Sequence, residues 1–144
     1  MSATSFAQVG VQQCVPLLLV RSMEASMRFY IDGLGFSMTN QWINKGRLEW
    51  CWLQHGDAAL MLQEVVPADK YVKQFEGKVG LGVSLNFTCR DALAFHHLVK
   101  DRGIETKRPF VGNRMWVTSL KDPDGYDLHF ESPTDVAEET VYEG

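Results

Sequence analysis

The stretch Lys121-Asp122-Pro123-Asp124-Gly125-Tyr126-Asp127-Leu128-His129-Phe130-Glu131 decides how this chain is read. Pro123 presets φ for the second residue of a turn, Asp124 suits the third and Gly125 suits the exit. Before it, Trp116-Val117-Thr118-Ser119-Leu120 is strand-like. After it, Leu128 and Phe130 alternate with Asp127, His129 and Glu131. The pattern predicts a hairpin whose returning strand shows three ionisable side chains on one face.

Moving toward the N-terminus, residues 104–107 read as the start of a strand and 108–113 as a connection. Before them, Asp91 to Asp101 reads as a helix with Leu93, Phe95, Leu98 and Val99 available for a core, ended by Gly103. Residues 81–88 read as a strand. The first half has the same order. A dense apolar strand runs from Cys14 to Val20, with Pro16 hinting at a sheet edge. Ser22 caps a helix carrying Met23, Met27, Tyr30 and Leu34. Strands follow over 36–42, 47–54 and 58–64. Two equal orders of elements make an internal repeat. The predicted fold is α+β: two βαβββ modules, 14–64 and 81–131, whose curled mixed sheets form a concave pocket, with a connector over 65–80. Tyr71, Val72 and Phe75 suggest a short helical turn in that connector. Residues 1–11 are expected to fray, and 132–144 to form an acidic surface tail.

A chain of 144 residues suits one domain. Its net charge of −4, with no basic stripe, disfavours nucleic-acid binding. Three cysteines without paired spacing argue against a disulfide framework or a zinc ribbon. There is no signal-peptide pattern and no apolar run of membrane-spanning length, so no membrane role is expected and a reducing cytoplasm is the expected compartment. No nucleophile elbow, P-loop or dinucleotide fingerprint is present, and no cofactor or catalytic nucleophile is predicted.

Val15-Pro16-Leu17-Leu18-Leu19-Val20, followed by Ser26-x-x-Phe29-Tyr30-x-x-x-Leu34-Gly35-Phe36, resembles the first module of the vicinal oxygen chelate superfamily. That superfamily contains glyoxalase I, extradiol dioxygenases, fosfomycin resistance thioltransferases and bleomycin resistance proteins. The helix from Asp91 to Gly103 and the Asp122-Pro123-Asp124-Gly125 turn resemble the second module. The resemblance implies paired βαβββ modules around a pocket usually completed by a second subunit, hence a homodimer. Metal-dependent members carry His or Glu at four inward positions. Here those positions fall on Val15, Met61, Gly82 and His129, and only His129 is a transition-metal ligand at neutral pH. No metal is therefore expected.

His129 matches a position where metal-free bleomycin resistance proteins also carry His. It either contacts ligand or is a satisfied interior histidine. Trp50 and Trp52 share a face that the resemblance turns toward the pocket, where they would stack on a flat ligand; otherwise they fill the core. Cys51, on the opposite face, reads as core. Ser84 and Asn86 line a polar strand face that is either a binding surface or merely solvated. Gln63 and Ser119 share that ambiguity. Asp127 and Glu131 either attract a cationic ligand or are solvated strand ends. The expected ligand-binding set is Trp50, Trp52, Met61, Gln63, Ser84, Asn86, Ser119, Asp127, His129 and Glu131. The expected function is sequestration of a drug-like or natural-product molecule, cationic or aromatic, in a dimer groove. The alternatives are a glyoxalase-like lyase or dioxygenase with displaced metal ligands, and an interaction module.

Overall fold

The computed structural model describes residues 3–66 and 75–144. Tyr71 and Val72 of the suggested helical turn lie outside the described residues. Residues 5–9 begin with a capped turn rather than a frayed tail. The Ser5 hydroxyl accepts from the Gln8 N–H, the Gln8 side chain answers the Ser5 N–H, and Phe6–Val9 form the short helix α1.

Each half builds one four-stranded mixed sheet. The first contains β1 Leu17–Val20, β2 Ser37–Asn44, β3 Arg47–His55 and β4 Ala58–Glu64, in the spatial order β1-β4-β3-β2. The second contains β5 Ser84–Thr88, β6 Phe110–Gly112, β7 Met115–Lys121 and β8 Asp127–Pro133, in the order β5-β8-β7-β6. In both, the first strand pairs in parallel with the last and the remaining pairs are antiparallel. This is the α+β architecture the repeat predicts. Pro16 directly precedes β1, which is an edge strand, so its missing N–H interrupts no interior ladder.

Three predicted strands differ from the observed ones, the first of them because β1, expected from Cys14, begins only at Leu17 after Pro16. Residues 104–107 are irregular, and the strand between the second half's helix and the hairpin is β6 further along. Their alternation mimics a strand, but the backbone bonds that hold them there are Ile104 N–H to Val99 O at 3.0 Å, closing the end of the helix, and Lys107 N–H to Ser119 O at 2.9 Å. The strand expected over 81–88 begins only at Ser84. Gly80 and Gly82 have φ of +73° and +77°, a conformation that a strand does not contain.

Helix α2, Met23–Met27, is capped by Ser22, whose hydroxyl accepts from the Ala25 N–H. It widens into a π-helical turn over Arg28–Gly33. Helix α3, Ala92–Asp101, is capped by Asp91 and fastened to its sheet at its first residue. There the Ala92 N–H donates to Ser132 Oγ, and Thr118 Oγ1 donates to Ala92 O.

Burial alternates along the strands. Cys51 and Leu53, Leu60 and Leu62, and Leu128 and Phe130 are buried, and their strand neighbours are less so. These buried residues join Tyr30, Leu34, Phe36 and Val99 in one core shared by both halves. A run of aromatic rings crosses the boundary. Phe36 lies 5.9 Å from Phe87, Phe87 stacks on Phe130 at 4.8 Å, and Phe130 stacks on Phe95 at 3.9 Å between centroids.

The turn of the opening stretch has a second task. Asp122 is 5% exposed, and its Oδ1 accepts from the N–H groups of Asp124, Gly125 and Tyr126, each at 2.9 Å. Its Oδ2 accepts from the hydroxyl of Tyr30 in the other half at 2.8 Å. Beside it Arg21 holds Asp124 at 3.1 Å, and the Tyr126 hydroxyl donates to Leu19 O at 3.0 Å. The hairpin loop is thus a polar fastening between the two halves, beside the shared core. The final segment lies on the surface yet is held there. Val111 N–H donates to Thr140 O, Tyr142 N–H donates to Pro109 O, and Phe110 pairs with Val141. Among the described residues, no helix is long and apolar enough to cross a membrane.

Candidate functional site

The sequence-predicted residues fall into two sets, one on each sheet. Trp50, Trp52, Met61 and Gln63 share one face of the first sheet. Trp50 pairs with Gln63 and Trp52 with Met61, side by side across β3 and β4. Because Cys51 and Leu62 on the other face are fully buried, this face points away from the shared core. Trp50, Trp52, Met61 and Gln63 are all partly exposed there. Trp42 extends the aromatic strip on β2 opposite Trp50, with 61% of its surface exposed.

The Trp52 indole is fixed in place. Its Nε1–H donates to Gln54 Oε1 at 2.9 Å, and the Gln54 amide donates in turn to Gly56 O at 3.0 Å. Gln54 belongs to the site as the residue that orients Trp52. Its period-two spacing with Trp50 and Trp52 was the visible signal, but nothing in the sequence distinguished an indole partner from a solvated amide.

Ser84, Asn86, Asp127, His129, Glu131 and Ser119 share one face of the second sheet. Ser84 pairs with Asp127, Asn86 with His129, and Ser119 with His129 across the other side of β8. Two contacts knit this face together: Ser119 Oγ to His129 Nδ1 at 2.8 Å and Asn86 Nδ2 to Ser84 Oγ at 2.9 Å. A hollow of about 310 Å³ lies over the hairpin end of the face, lined by Ser119, Lys121, Asp127 and His129 together with Glu105, Thr106 and Lys107. Lys107 comes from the irregular segment, and periodicity gave no sign of it.

The electrostatics depart from a simple acidic strand. Lys121 Nζ lies 2.8 Å from Asp127 Oδ1, and this hydrogen bond holds the Asp127 carboxyl below its ordinary range. The Asp127 charge is therefore matched locally, which weakens the expectation that it draws in a cation.

The four positions corresponding to the family's metal ligands can be checked against the register. Leu17 lies opposite Met61, and Asn86 lies opposite His129. Val15 precedes Leu17 by two residues, so its counterpart is Ser84, two before Asn86. Gly82, the position expected from the sequence, sits in the turn before β5. The corrected set is Val15, Met61, Ser84 and His129. Val15 has no donor, Met61 offers a thioether and Ser84 a neutral hydroxyl. These do not fit the His- and Glu-held metal of the family's enzymes. Among the described residues, no three His, Cys, Asp or Glu side chains come together as a metal-holding group.

Comparison with known proteins follows the same lines. The family model of the Glyoxalase/Bleomycin resistance protein/Dioxygenase superfamily matches residues 10–130. The chain belongs to this superfamily. Among solved structures it is similar to TnmS3, an antibiotic-binding protein from Streptomyces sp. CB03234. The identity is 20%, covering 85% of this chain and 98% of that one, with a TM-score of 0.62. It is also similar to a bleomycin-binding protein solved with bleomycin, at 22% identity over 85% and 98% of the two chains and a TM-score of 0.58. A glyoxalase family protein from Enterococcus faecalis matches at 20% identity over 85% and 98%, with a TM-score of 0.63. At these identities the likeness is one of fold, which hosts several functions. No curated protein matches the chain in sequence.

Proposed function

We propose that this superfamily member is a metal-free binding protein that sequesters a small drug-like or natural-product molecule in two equivalent grooves of a homodimer. The observation that carries this reading is the Trp52 platform. An indole pinned by Gln54, beside Trp50 and on the face turned away from the core, offers a flat apolar surface whose orientation is set before any ligand arrives. The donor chemistry of Val15, Met61, Ser84 and His129 supports binding over metal-dependent turnover. The two relatives described as binding bleomycin and an antibiotic support the ligand class.

A second subunit suits the exposed apolar surface of the first sheet, where Leu17 is 47% and Trp42 61% exposed. It would bring the polar face of one subunit over the aromatic face of the other. In such a groove, stacking on Trp52 and hydrogen bonding to His129, Ser84 and Asn86 are compatible with micromolar affinity, about −8 kcal/mol.

The test is a thermal-shift screen over planar natural products, since a ligand of the folded state raises apparent stability by mass action. Hits are expected to quench tryptophan fluorescence and to bind Trp52→Ala at least about tenfold more weakly, the loss expected for one stacked aromatic contact. Stoichiometric Zn, Ni, Mn or Fe in protein purified without chelator, together with a metal-dependent lyase or dioxygenase activity, refutes the proposal.

A further inference from the structure

The second sheet narrows the ligand class within the binding reading above, on which this inference rests. Ser119 is 7% exposed, and its hydroxyl has one partner among the described residues, His129 Nδ1 at 2.8 Å. A buried hydroxyl gives its proton to an acceptor within reach. Ser119 O–H therefore donates to Nδ1, and the neutral ring keeps its own proton on Nε2. A doubly protonated ring presents the same Nε2–H, with Ser119 then accepting from Nδ1. Nε2 has no partner among the described residues, and the ring lines the hollow of about 310 Å³. His129 is thus a hydrogen-bond donor facing the hollow, fixed from behind by Ser119.

The charges around the hollow select what such a donor binds. Four charged side chains line it: Glu105, Lys107, Lys121 and Asp127. Lys121 and Asp127 are matched to each other at 2.8 Å. Lys107 is held beside Ser119 by its backbone N–H, which donates to Ser119 O at 2.9 Å. Its ammonium makes no ion pair among the described residues. Glu105, the opposing charge, is equally exposed on the same irregular segment, so the unmatched groups at the hollow are two donors, His129 Nε2–H and Lys107, against one acid.

We infer that this hollow receives a carboxylate or similar anionic oxygen group of the ligand, between His129 Nε2–H and the Lys107 ammonium. Lys107 is then the residue that sets the preference for an acid. This replaces the cation expected from the acidic residues of β8, because Asp127 is already matched by Lys121 and the His129 and Lys107 donors outnumber the one remaining acid, Glu105. A charge-assisted bond from Lys107 is worth more than a bond between neutral partners.

Three probes with one ring system separate the possibilities: 2-naphthoate, 2-naphthamide and 2-naphthylmethylammonium, titrated by calorimetry into the full chain. Native protein is expected to bind the acid roughly tenfold or more tighter than the amide. Lys107→Met is expected to remove that preference, the acid losing roughly tenfold or more affinity and the amide much less. Its backbone N–H is retained and its side chain is exposed, so the fold is kept. A long-range ¹H–¹⁵N spectrum of the imidazoles, assigned with His129→Gln, is expected to show the Nε2–H form at His129. Equal affinities for the three probes, a preference for the ammonium, or an Nδ1–H tautomer each overturn the inference while the aromatic-binding reading stands. Failure of the protein to bind any of the three overturns both.

Discussion

Asp122 and Tyr30 are separated by 92 positions and joined by one buried hydrogen bond of 2.8 Å, so the fastening between the two halves can be measured as a coupling. Tyr30 is fully buried and Asp122 5% exposed. A hydrogen bond to a charged acceptor contributes about 1.5–3 kcal/mol, so Tyr30→Phe is expected to destabilise the protein by about 2 kcal/mol. Asp122→Ala does more. It strands the Tyr30 hydroxyl, at about 1–3 kcal/mol, and removes the acceptor for three turn N–H groups, which recover part of that loss from water. The expected total is about 3–5 kcal/mol, a large share of an ordinary domain's stability of about 5–15 kcal/mol. In the double variant the hydroxyl is no longer stranded, so the two losses overlap by about 1–3 kcal/mol. Urea unfolding at constant m-value measures all corners of the cycle, and Asp122→Asn, which keeps one acceptor oxygen, serves where the alanine variant is too unstable. A second readout is independent of stability. Burial pushes the Asp122 carboxyl above its ordinary range, against the lowering effect of the Tyr30 hydroxyl. Its titration is therefore expected to move higher still in Tyr30→Phe. Additivity of the two losses to within about 0.5 kcal/mol would refute the claim that this pair ties the halves together.

Two further outcomes follow from packing and charge. Burial holds His96 below the usual imidazole range, with the charges of His97 and Lys100 acting the same way. Below about pH 6.5 the unfolded chain takes up the proton first, so this contribution is complete above that pH and is lost as pH falls toward the folded value. Urea midpoints measured between about pH 5 and 8 are expected to depend less on pH in His96→Gln than in the native protein. Gly33 closes the π-helical turn against the side chain of Ile104, and an added Cβ would overlap Ile104 Cδ1. Ile104 Cδ1 is the far end of a half-exposed side chain that can turn aside, and alanine suits a helical turn better than glycine by about 1 kcal/mol. Gly33→Ala is therefore expected to leave the melting temperature unchanged or slightly raised; a loss of more than about 1 kcal/mol would show that Ile104 cannot give way.

The features legible in the sequence share one property: they depend on neighbours two residues apart in a paired strand. Leu128 and Phe130 had to turn inward together, and so did Cys51 and Leu53, because a pleated strand with one buried face leaves no other register. The same rule places Asp127, His129 and Glu131 on one side, and the structure agrees. What they do there depends on residues that no local pattern connects to them. Residues 104–107 alternate as a strand does, yet they run as an irregular segment beside the hollow, with Lys107 N–H bonded to Ser119 O. Gly82 was a miscount along the sequence: Val15 stands seven residues before the cap Ser22, and seven before the matching cap Asp91 is Ser84. The ladder between β5 and β8 also sets Ser84 in place, while Gly82 lies in a turn with positive φ. Asp122 read as a turn-former, since nothing local marks a carboxylate that also reaches Tyr30.

These corrections act together on the hairpin. Of its acids, Asp122 is occupied by the fold, Asp124 by Arg21 and Asp127 by Lys121. The negative letters of the stretch are largely used within the chain itself. Beyond them, His129, fixed by Ser119, and Lys107 from outside the stretch line the hollow, where they are inferred to hold a ligand's anionic oxygen. An acidic sequence thereby builds a hollow of mixed charge, in which Asp127 is already matched by Lys121. The sign of its preference is set by which charges already have partners, and those partners lie on other strands and loops.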